Sequence, residues 1–519
     1  MAKRARSKPT VLLILDGWGV GPPDSSNAIH LAKTPIFDSY VAKYAYTTLH
    51  ASSVSVGLPA GQNGNSEAGH MNIGAGRVIE QDSVSISRAI SDGTFFKNPA
   101  FLQAAKHARK YDSSVHLMGL LSDGQSAHSH PDHLIALITF FAYQKVKHVY
   151  LHLFTDGRDG PRYGAIKLLR RYQTFFNTQA TIASIIGRVY AMDRKKDWKH
   201  TELAYNAMVL GKSSHTSSSA EDAVLHAYNR GETDEFIQPA VVTAGKKPVA
   251  IIGDGDSVVF FNLRSDRARQ LAKPFVQNDF ESANSGAFTR GKLLKKLFFV
   301  AMTDFGPDLD LLTAFPSRDI VDTIPSVLRD RRQLYIAESE KYSHITYFFN
   351  GGYDAPIAGE DRILVGSPDA LSYRLTPRMG LPAIMSKIIA ALKSGSYDFI
   401  AVNISNADML AHTGDIRATV EAVEYVDGCL KRIVDAVLVA GGTVVITGDH
   451  GNAEELVNRR SGEIDTEHSK SLVPFIIVRQ GARMQLRKRG SLADVAPTLL
   501  QLMGVPKPVL MTGASLIVK

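Results

Sequence analysis

The sequence predicts an α/β protein of two domains, each with a largely parallel sheet flanked by helices. Three observations lead there. Short apolar, β-branched runs of strand length alternate with stretches whose apolar residues recur at the helical period. Such alternation is the pattern of crossover helices, which set successive strands parallel. At 519 residues the chain also exceeds what one core ordinarily holds.

Taken in order, Thr10–Leu15 (TVLLIL) is the first strand and runs into Asp16-Gly17-Trp18-Gly19. A loop-rich region follows. Within it, 57–77 reads GLPAGQNGNSEAGHMNIGAGR, and its six glycines imply tight backbone or close ligand approach. Ser66 stands there among Asn65, Glu67 and Gly69. It reads either as a helix N-cap in a surface loop or as a nucleophile.

Beyond about residue 81 three β-α units come in a row. Helix 99–111 leads to strand 115–121, with His128 and His130 after it. Helix 132–144 leads to strand 148–154, ending Thr155-Asp156-Gly157-Arg158-Asp159-Gly160. Helix 165–176 leads to strand 181–186, ending Gly187-Arg188, with Asp193-Arg194 beyond. These units predict a second parallel sheet. The stretch 213–219 (SSHTSSS) reads as a polar loop. Strand 258–263 ends in Arg264-Ser265-Asp266-Arg267, and strand 297–302 closes the region.

From about 315 the pattern changes again. Strand 334–338 precedes Ser339-Glu340-Lys341, and the short run 346–349 leads into Asn350-Gly351-Gly352. Segments 381–393 and 417–439 are amphipathic helices. Strand 398–404 runs into Asn406, Asp408 and His412. Strand 443–446 runs into Thr447-Gly448-Asp449-His450-Gly451-Asn452, and Glu467-His468 precedes the apolar Val473–Val478.

Composition narrows the function classes. Hydrophobic content of 44% suits large globular cores. The single cysteine, Cys429, lies in an apolar-periodic helix and reads as a core residue; it permits no intrachain disulfide. No secretory signal is legible, because the apolar run after the basic start is cut short by Asp16. No stretch approaches the roughly 20 apolar residues of a membrane span. A cytoplasmic enzyme is therefore expected. The net charge of +8 suits anionic small molecules. Nucleic acid is not expected: apart from the N-terminal KRARSK there is no long basic block, and aromatics do not interleave with basic runs.

Two constellations remain. Strands of one parallel sheet deliver their C-terminal ends to one edge, where ligands bind. Asp16, Asp408, His412, Asp449, His450 and His468 converge there if the strands share a sheet, and three carboxylates with three imidazoles suit two divalent cations. Each acid taken alone is equally a turn residue, and spacing alone leaves both readings open. Asp16 can join the others only if 1–80 and 316–519 form one discontinuous domain, with 81–315 inserted. The second constellation is cationic. Arg158, Arg188, Arg194, Arg264 and Arg267 all follow strands of the insertion, and their planar forks suit phosphate or carboxylate.

The motifs LDGWG (15–19), GNSEAGHMNIGAGR (64–77), TDGRDG (155–160), NLRSDRA (262–268), SEKYSHITYFFNGG (339–352), DMLAHTGD (408–415) and TGDHGNAE (447–454) together resemble cofactor-independent phosphoglycerate mutase. That family shares its metal domain with the alkaline phosphatases. The resemblance spans nearly the whole chain. It implies an alkaline-phosphatase-like metal domain carrying an inserted α/β domain that binds substrate. It implies Asp408, His412 and His468 as ligands of one metal and Asp16, Ser66, Asp449 and His450 as ligands of the other. The metal would be manganese or another divalent ion, with no 2,3-bisphosphoglycerate needed. Ser66 would be the phosphorylated serine. His128, Arg158, Asp159, Arg188, Arg194, Arg264, Arg267 and Lys341 would bind substrate, with Asp159, His128 and Lys341 also taking part in the chemistry. The segment SDGQSAHSH is one residue longer than the family spacing, and TEHSKSLVP around His468 is a looser match. The implied reaction interconverts 3-phosphoglycerate and 2-phosphoglycerate in a monomeric enzyme. The alternative is a phosphatase or phosphopentomutase of the same superfamily.

Overall fold

The computed structural model describes residues 8–124, 126–306, 308–316, 319–459, 462–481 and 484–518. All of the basic KRARSK segment except Lys8 lies outside them. By contacts the chain divides into two compact units, Met1–Gln81 with Asp319–Lys519, and Asp82–Arg318.

The first unit is built on an eight-stranded sheet. Its order is Asp361–Val365, Gln333–Glu338, Phe399–Ile404, Thr10–Leu15, Thr443–Gly448, Val473–Val478, Ala45–His50, Arg489–Ser491. The strand Thr10–Leu15 lies parallel between Phe399–Ile404 and Thr443–Gly448, with Leu15 level with Ile404 and Gly448. That register makes the three strands end together. All three are buried along their length, because one apolar cluster covers Val11, Leu13 and Leu15 and another covers Leu12 and Ile14. Cover on both faces is why these segments read as continuous apolar runs rather than alternating ones. The long helix Ile416–Val439 buries one face against the first cluster, with Cys429 in that face.

The second unit carries a nine-stranded sheet. Its main order is Leu312–Phe315, Phe298–Thr303, Ser257–Phe260, Val115–Leu120, Val149–Thr155, Thr181–Gly187, Ala240–Ala244, His215–Ser217, and Lys247–Pro248 pairs with Ala240–Ala244. Pairing is parallel from Leu312–Phe315 to Thr181–Gly187 and turns antiparallel at Ala240–Ala244. Two largely parallel sheets flanked by helices make this an α/β fold of the expected class.

Several local expectations are corrected. The segment 213–219 is not all loop: His215–Ser217 forms the edge strand, parallel to Ala240–Ala244. Strand Phe298–Thr303 does not close the region, since Leu312–Phe315 follows it and pairs beside it. The run 346–349, given no element from the sequence, falls in the π-helical turn His344–Phe348, whose C-cap Phe349 still has helical backbone. Asn65, not Ser66, caps the helix Ser66–Ala75. The Asn65 side chain accepts from the Ala68 amide at 2.8 Å, which leaves the Ser66 hydroxyl for other partners. Among the described residues no helix is long and apolar enough to cross a membrane.

Candidate functional site

In the first unit the level strand ends place three carboxylates side by side. Asp16 follows Thr10–Leu15. Asp449 follows Thr443–Gly448. Asp408 lies on the short helix Asn406–Ala411 that continues from Phe399–Ile404. All three are fully buried, as is His450. The approach depends on Gly17. Its φ is +71°, and a Cβ there would stand 2.7 Å from the Asp408 Cβ, so only glycine admits both the backbone and the neighbour.

Lys341, just beyond the end of strand Gln333–Glu338, enters this acidic pocket. Its Nζ lies 2.7 Å from Asp16 Oδ1, 2.6 Å from Asp408 Oδ2 and 2.7 Å from Ser66 Oγ. Burial opposes the charge, but Asp16, Asp408 and Asp449 hold the Lys341 pKa well above its ordinary value. Ser66, at the first position of its helix, has its Oγ 2.8 Å from His450 Nε2 and 3.3 Å from Asp16 Oδ1. Burial also opposes charge on His450, yet Asp449, Asp16 and Asp408 raise its pKa to about 9. The pocket is therefore strongly electronegative around one serine hydroxyl.

The donor set fits divalent cations. His412 Nδ1 faces the Thr466 carbonyl at 2.8 Å and His468 Nδ1 faces the Gly64 carbonyl at 3.0 Å. Carbonyl oxygens only accept, so both Nδ1 atoms carry hydrogen, and each ring in its neutral form presents a bare Nε2 lone pair. Those two lone pairs face each other at 3.0 Å, and each is 3.4 Å from an Asp408 oxygen. Acceptors turned on acceptors are what a cation between them resolves. Asp408, His412 and His468 offer ligand atoms within 4.8 Å of one another, and so do Asp16, Asp408 and His450, and Asp16, His70 and Asp449. Asp449 Oδ2 and Asn403 Oδ1 are buried with no hydrogen-bond partner, two further acceptors suited to a cation.

The second unit holds the other constellation. Arg188 starts a helical turn directly after strand Thr181–Gly187 and is 2% exposed. Its Nη1 lies 2.5 Å from Asp156 Oδ1 and 2.9 Å from Asp159 Oδ2. Asp159 Oδ2 also accepts from Ser126 Oγ at 2.8 Å. Burial works to raise the Asp159 pKa, but Arg188 and Ser126 hold it below its ordinary value. Arg194 and Arg264 both pair with Asp266, at 2.7 and 3.5 Å. Arg158 faces Glu235 at 3.6 Å, and Arg267 donates to the Met192 carbonyl at 3.3 Å. Burial depresses the Arg267 pKa, and the fields of Arg188, Arg194 and Arg158 depress it further, which places these guanidinium groups in one field. His128 is buried, its Nδ1 has no partner, and its pKa is pushed down to about 3 by burial, then by Arg188 and Arg264. A neutral imidazole and a concentrated cationic field make a ready anion site.

The Metalloenzyme superfamily model matches residues 8–507. A 2,3-bisphosphoglycerate-independent phosphoglycerate mutase of Methanosarcina acetivorans is 46% identical over 99% of both chains. Another, from Moorella thermoacetica, is 44% identical over 99% of both. The chain belongs to the 2,3-bisphosphoglycerate-independent phosphoglycerate mutase family. A crystal structure of Leishmania mexicana phosphoglycerate mutase, determined at low cobalt concentration, superposes with TM-score 0.77 at 29% identity, covering 100% of this chain and 98% of that one. Family membership makes the chain an enzyme that uses divalent metal.

In this mutase-family chain the structure gathers Asp16, Ser66, Lys341, Asp408, His412, Asp449, His450 and His468 in the first unit. In the second it gathers His128, Asp159, Arg188, Arg194, Arg264 and Arg267. Arg158 lies at their rim, 56% exposed and turned to Glu235. Sequence reasoning passed over His70, Asn403 and Asn452. Asn452 Nδ2 donates to Asp408 Oδ1 at 2.7 Å, and Asn403 Nδ2 donates to Asp16 Oδ2 at 2.6 Å. Both His70 and Asn452 lie inside quoted motifs, where their polarity in a buried setting was the available signal.

Proposed function

We propose that this chain isomerises 3-phosphoglycerate and 2-phosphoglycerate through a phosphoserine at Ser66. The observation that carries this reading is the Ser66 hydroxyl itself, with Lys341 Nζ at 2.7 Å and His450 Nε2 at 2.8 Å inside an acidic pocket. Asp408, His412 and His468 would hold one manganese ion, and Asp16, Asp449 and His450 a second beside Ser66. Bound cations would favour the serine alkoxide and neutralise the phosphoryl oxygens.

Ser66 Oγ attacks phosphorus, the bond from phosphorus to the glycerate oxygen breaks, and glycerate gains a hydroxyl proton. Lys341 meets the charge on the transferring phosphoryl group, which spreads over its oxygens in the transition state. The arginines hold glycerate by its carboxylate through bidentate contacts while its other hydroxyl comes into place. That hydroxyl attacks phosphoserine, and Ser66 is restored. Asp159 and His128 move the glycerate hydroxyl protons. Arg188 depresses both groups and Arg264 depresses His128, and an anionic substrate among the arginines offsets that field, raising their basicity when it is needed. We infer further that the enzyme works as a cytoplasmic monomer, without nucleic acid and without 2,3-bisphosphoglycerate.

The test is metal removal. EDTA treatment should abolish conversion of 3-phosphoglycerate, and manganese should restore it. Full turnover in a verified metal-free preparation would overturn the metal assignment, and phosphate release in place of 2-phosphoglycerate would overturn the mutase reading.

A further inference from the structure

His70 is fully buried one helical turn beyond Ser66. Its Nδ1 lies 2.9 Å from the Ser66 carbonyl and 3.3 Å from Asp449 Oδ2. A carbonyl can only accept, so Nδ1 carries the hydrogen and, in the neutral ring, Nε2 is a lone pair. That lone pair is 3.0 Å from Asn403 Nδ2 and takes one of its two amide hydrogens; the other goes to Asp16 Oδ2 at 2.6 Å. The Asn403 amide is thereby fixed in one sense. Turned over, it would set its oxygen against both a carboxylate and a lone pair. Asn403 sits in the fully buried strand Phe399–Ile404, in register with Ile14.

We propose that His70 is a positioning residue for the Ser66 centre. Its single tautomer ties the serine helix to Asn403 and, through Asn403, to Asp16. Three backbone segments that are far apart in sequence are thus held in one frame. The inference deepens the mutase reading and rests on it for the role of Ser66, while its effect on metal binding does not need that reading.

The experiment measures manganese binding by isothermal titration calorimetry, together with kcat and KM for 3-phosphoglycerate, in folded protein. His70→Leu removes both hydrogen bonds at similar volume. It should weaken manganese binding by about ten- to a hundredfold, the range seen when a partner of a ligating side chain is lost. The same variant should lower kcat while leaving KM nearly unchanged, since the arginine set is untouched. His70→Asn keeps a donor for the Ser66 carbonyl and should recover part of both losses, which mere space-filling would not do. Asn403→Leu combined with His70→Leu should be little worse than the weaker single variant, because the two residues act as one unit. Should His70→Leu fail to fold, His70→Asn and Asn403→Leu carry the same test. Wild-type manganese affinity and kcat in these variants, or fully additive losses, would overturn the proposal. Lack of isomerisation by the wild-type protein would instead overturn the mutase reading and leave the manganese titration to judge His70.

Discussion

Lys341 shows at the scale of one residue how the site is balanced. Its ammonium lies between two fully buried carboxylates, Asp16 and Asp408. Buried charges survive only when paired, and removing one partner of a buried pair typically costs about 3–5 kcal/mol. Lys341→Met should therefore destabilise the metal-free protein by that order. Cations bound by the same carboxylates would offset much of the loss. Thermal unfolding in EDTA and in excess manganese should show a large fall in Tm for the variant in the first condition and a smaller one in the second. An equal fall in both would mean that Lys341 and the cations do not share their carboxylates. Asp16, Asp408 and Asp449 are legible in the sequence because each lies within four residues of the end of an apolar run. His70 and Asn403 are not, since a histidine inside a helix or an asparagine inside a strand gains meaning only from its partner, here 333 positions away.

At the scale of elements, strand ends and helix starts carry the chemistry. Helix Pro131–Tyr143 supplies a test of its packing through His133, which is fully buried and has its Nε2 2.9 Å from Ser87 Oγ. Burial, with a smaller contribution from His130, pushes the His133 pKa down to about 3. The unfolded value is about 6.5. Below that value the unfolded chain binds a proton that the folded ring does not, so stability falls as pH drops from about 6.5 toward 3, by at most about 1.4 kcal/mol per pH unit. His133→Gln, neutral throughout and able to meet Ser87, should flatten this fall while leaving the pH 7–8 slope unchanged. Calorimetric scans between pH 4 and 8 check it, and identical slopes in both proteins would show that His133 does not titrate on unfolding. Elements with strong periodicity, such as Ile416–Val439, are legible in the sequence. Those missed have weak patterns. Ala45–His50 (AYTTLH) alternates poorly and ends exposed, and His215–Ser217 is three polar residues recruited by its neighbour Ala240–Ala244.

At the scale of the whole molecule the proposed reaction divides the substrate. In that proposal the phosphoryl group falls to the Ser66 cluster and the carboxylate to the arginines. Arg264→Ala removes a charge-assisted contact typically worth about 1.5–3 kcal/mol, so mutase turnover should fall roughly ten- to a hundredfold. Glycerate would be held less well after phosphoserine forms, so phosphate released per 2-phosphoglycerate made should rise. Following both products in parent and variant checks this, and an unchanged ratio would remove Arg264 from glycerate retention. In the proposed reaction phosphate passes through Ser66. Its most direct measurement is rapid quenching of the manganese-loaded enzyme during turnover of 3-phosphoglycerate, followed by mass analysis of the peptide containing residues 57–77. One phosphoryl group on Ser66 is expected, with no label and no turnover in Ser66→Ala. Formation of 2-phosphoglycerate with that peptide unmodified, or turnover by Ser66→Ala within about tenfold of the parent, a barrier change of only about 1.4 kcal/mol, would contradict it.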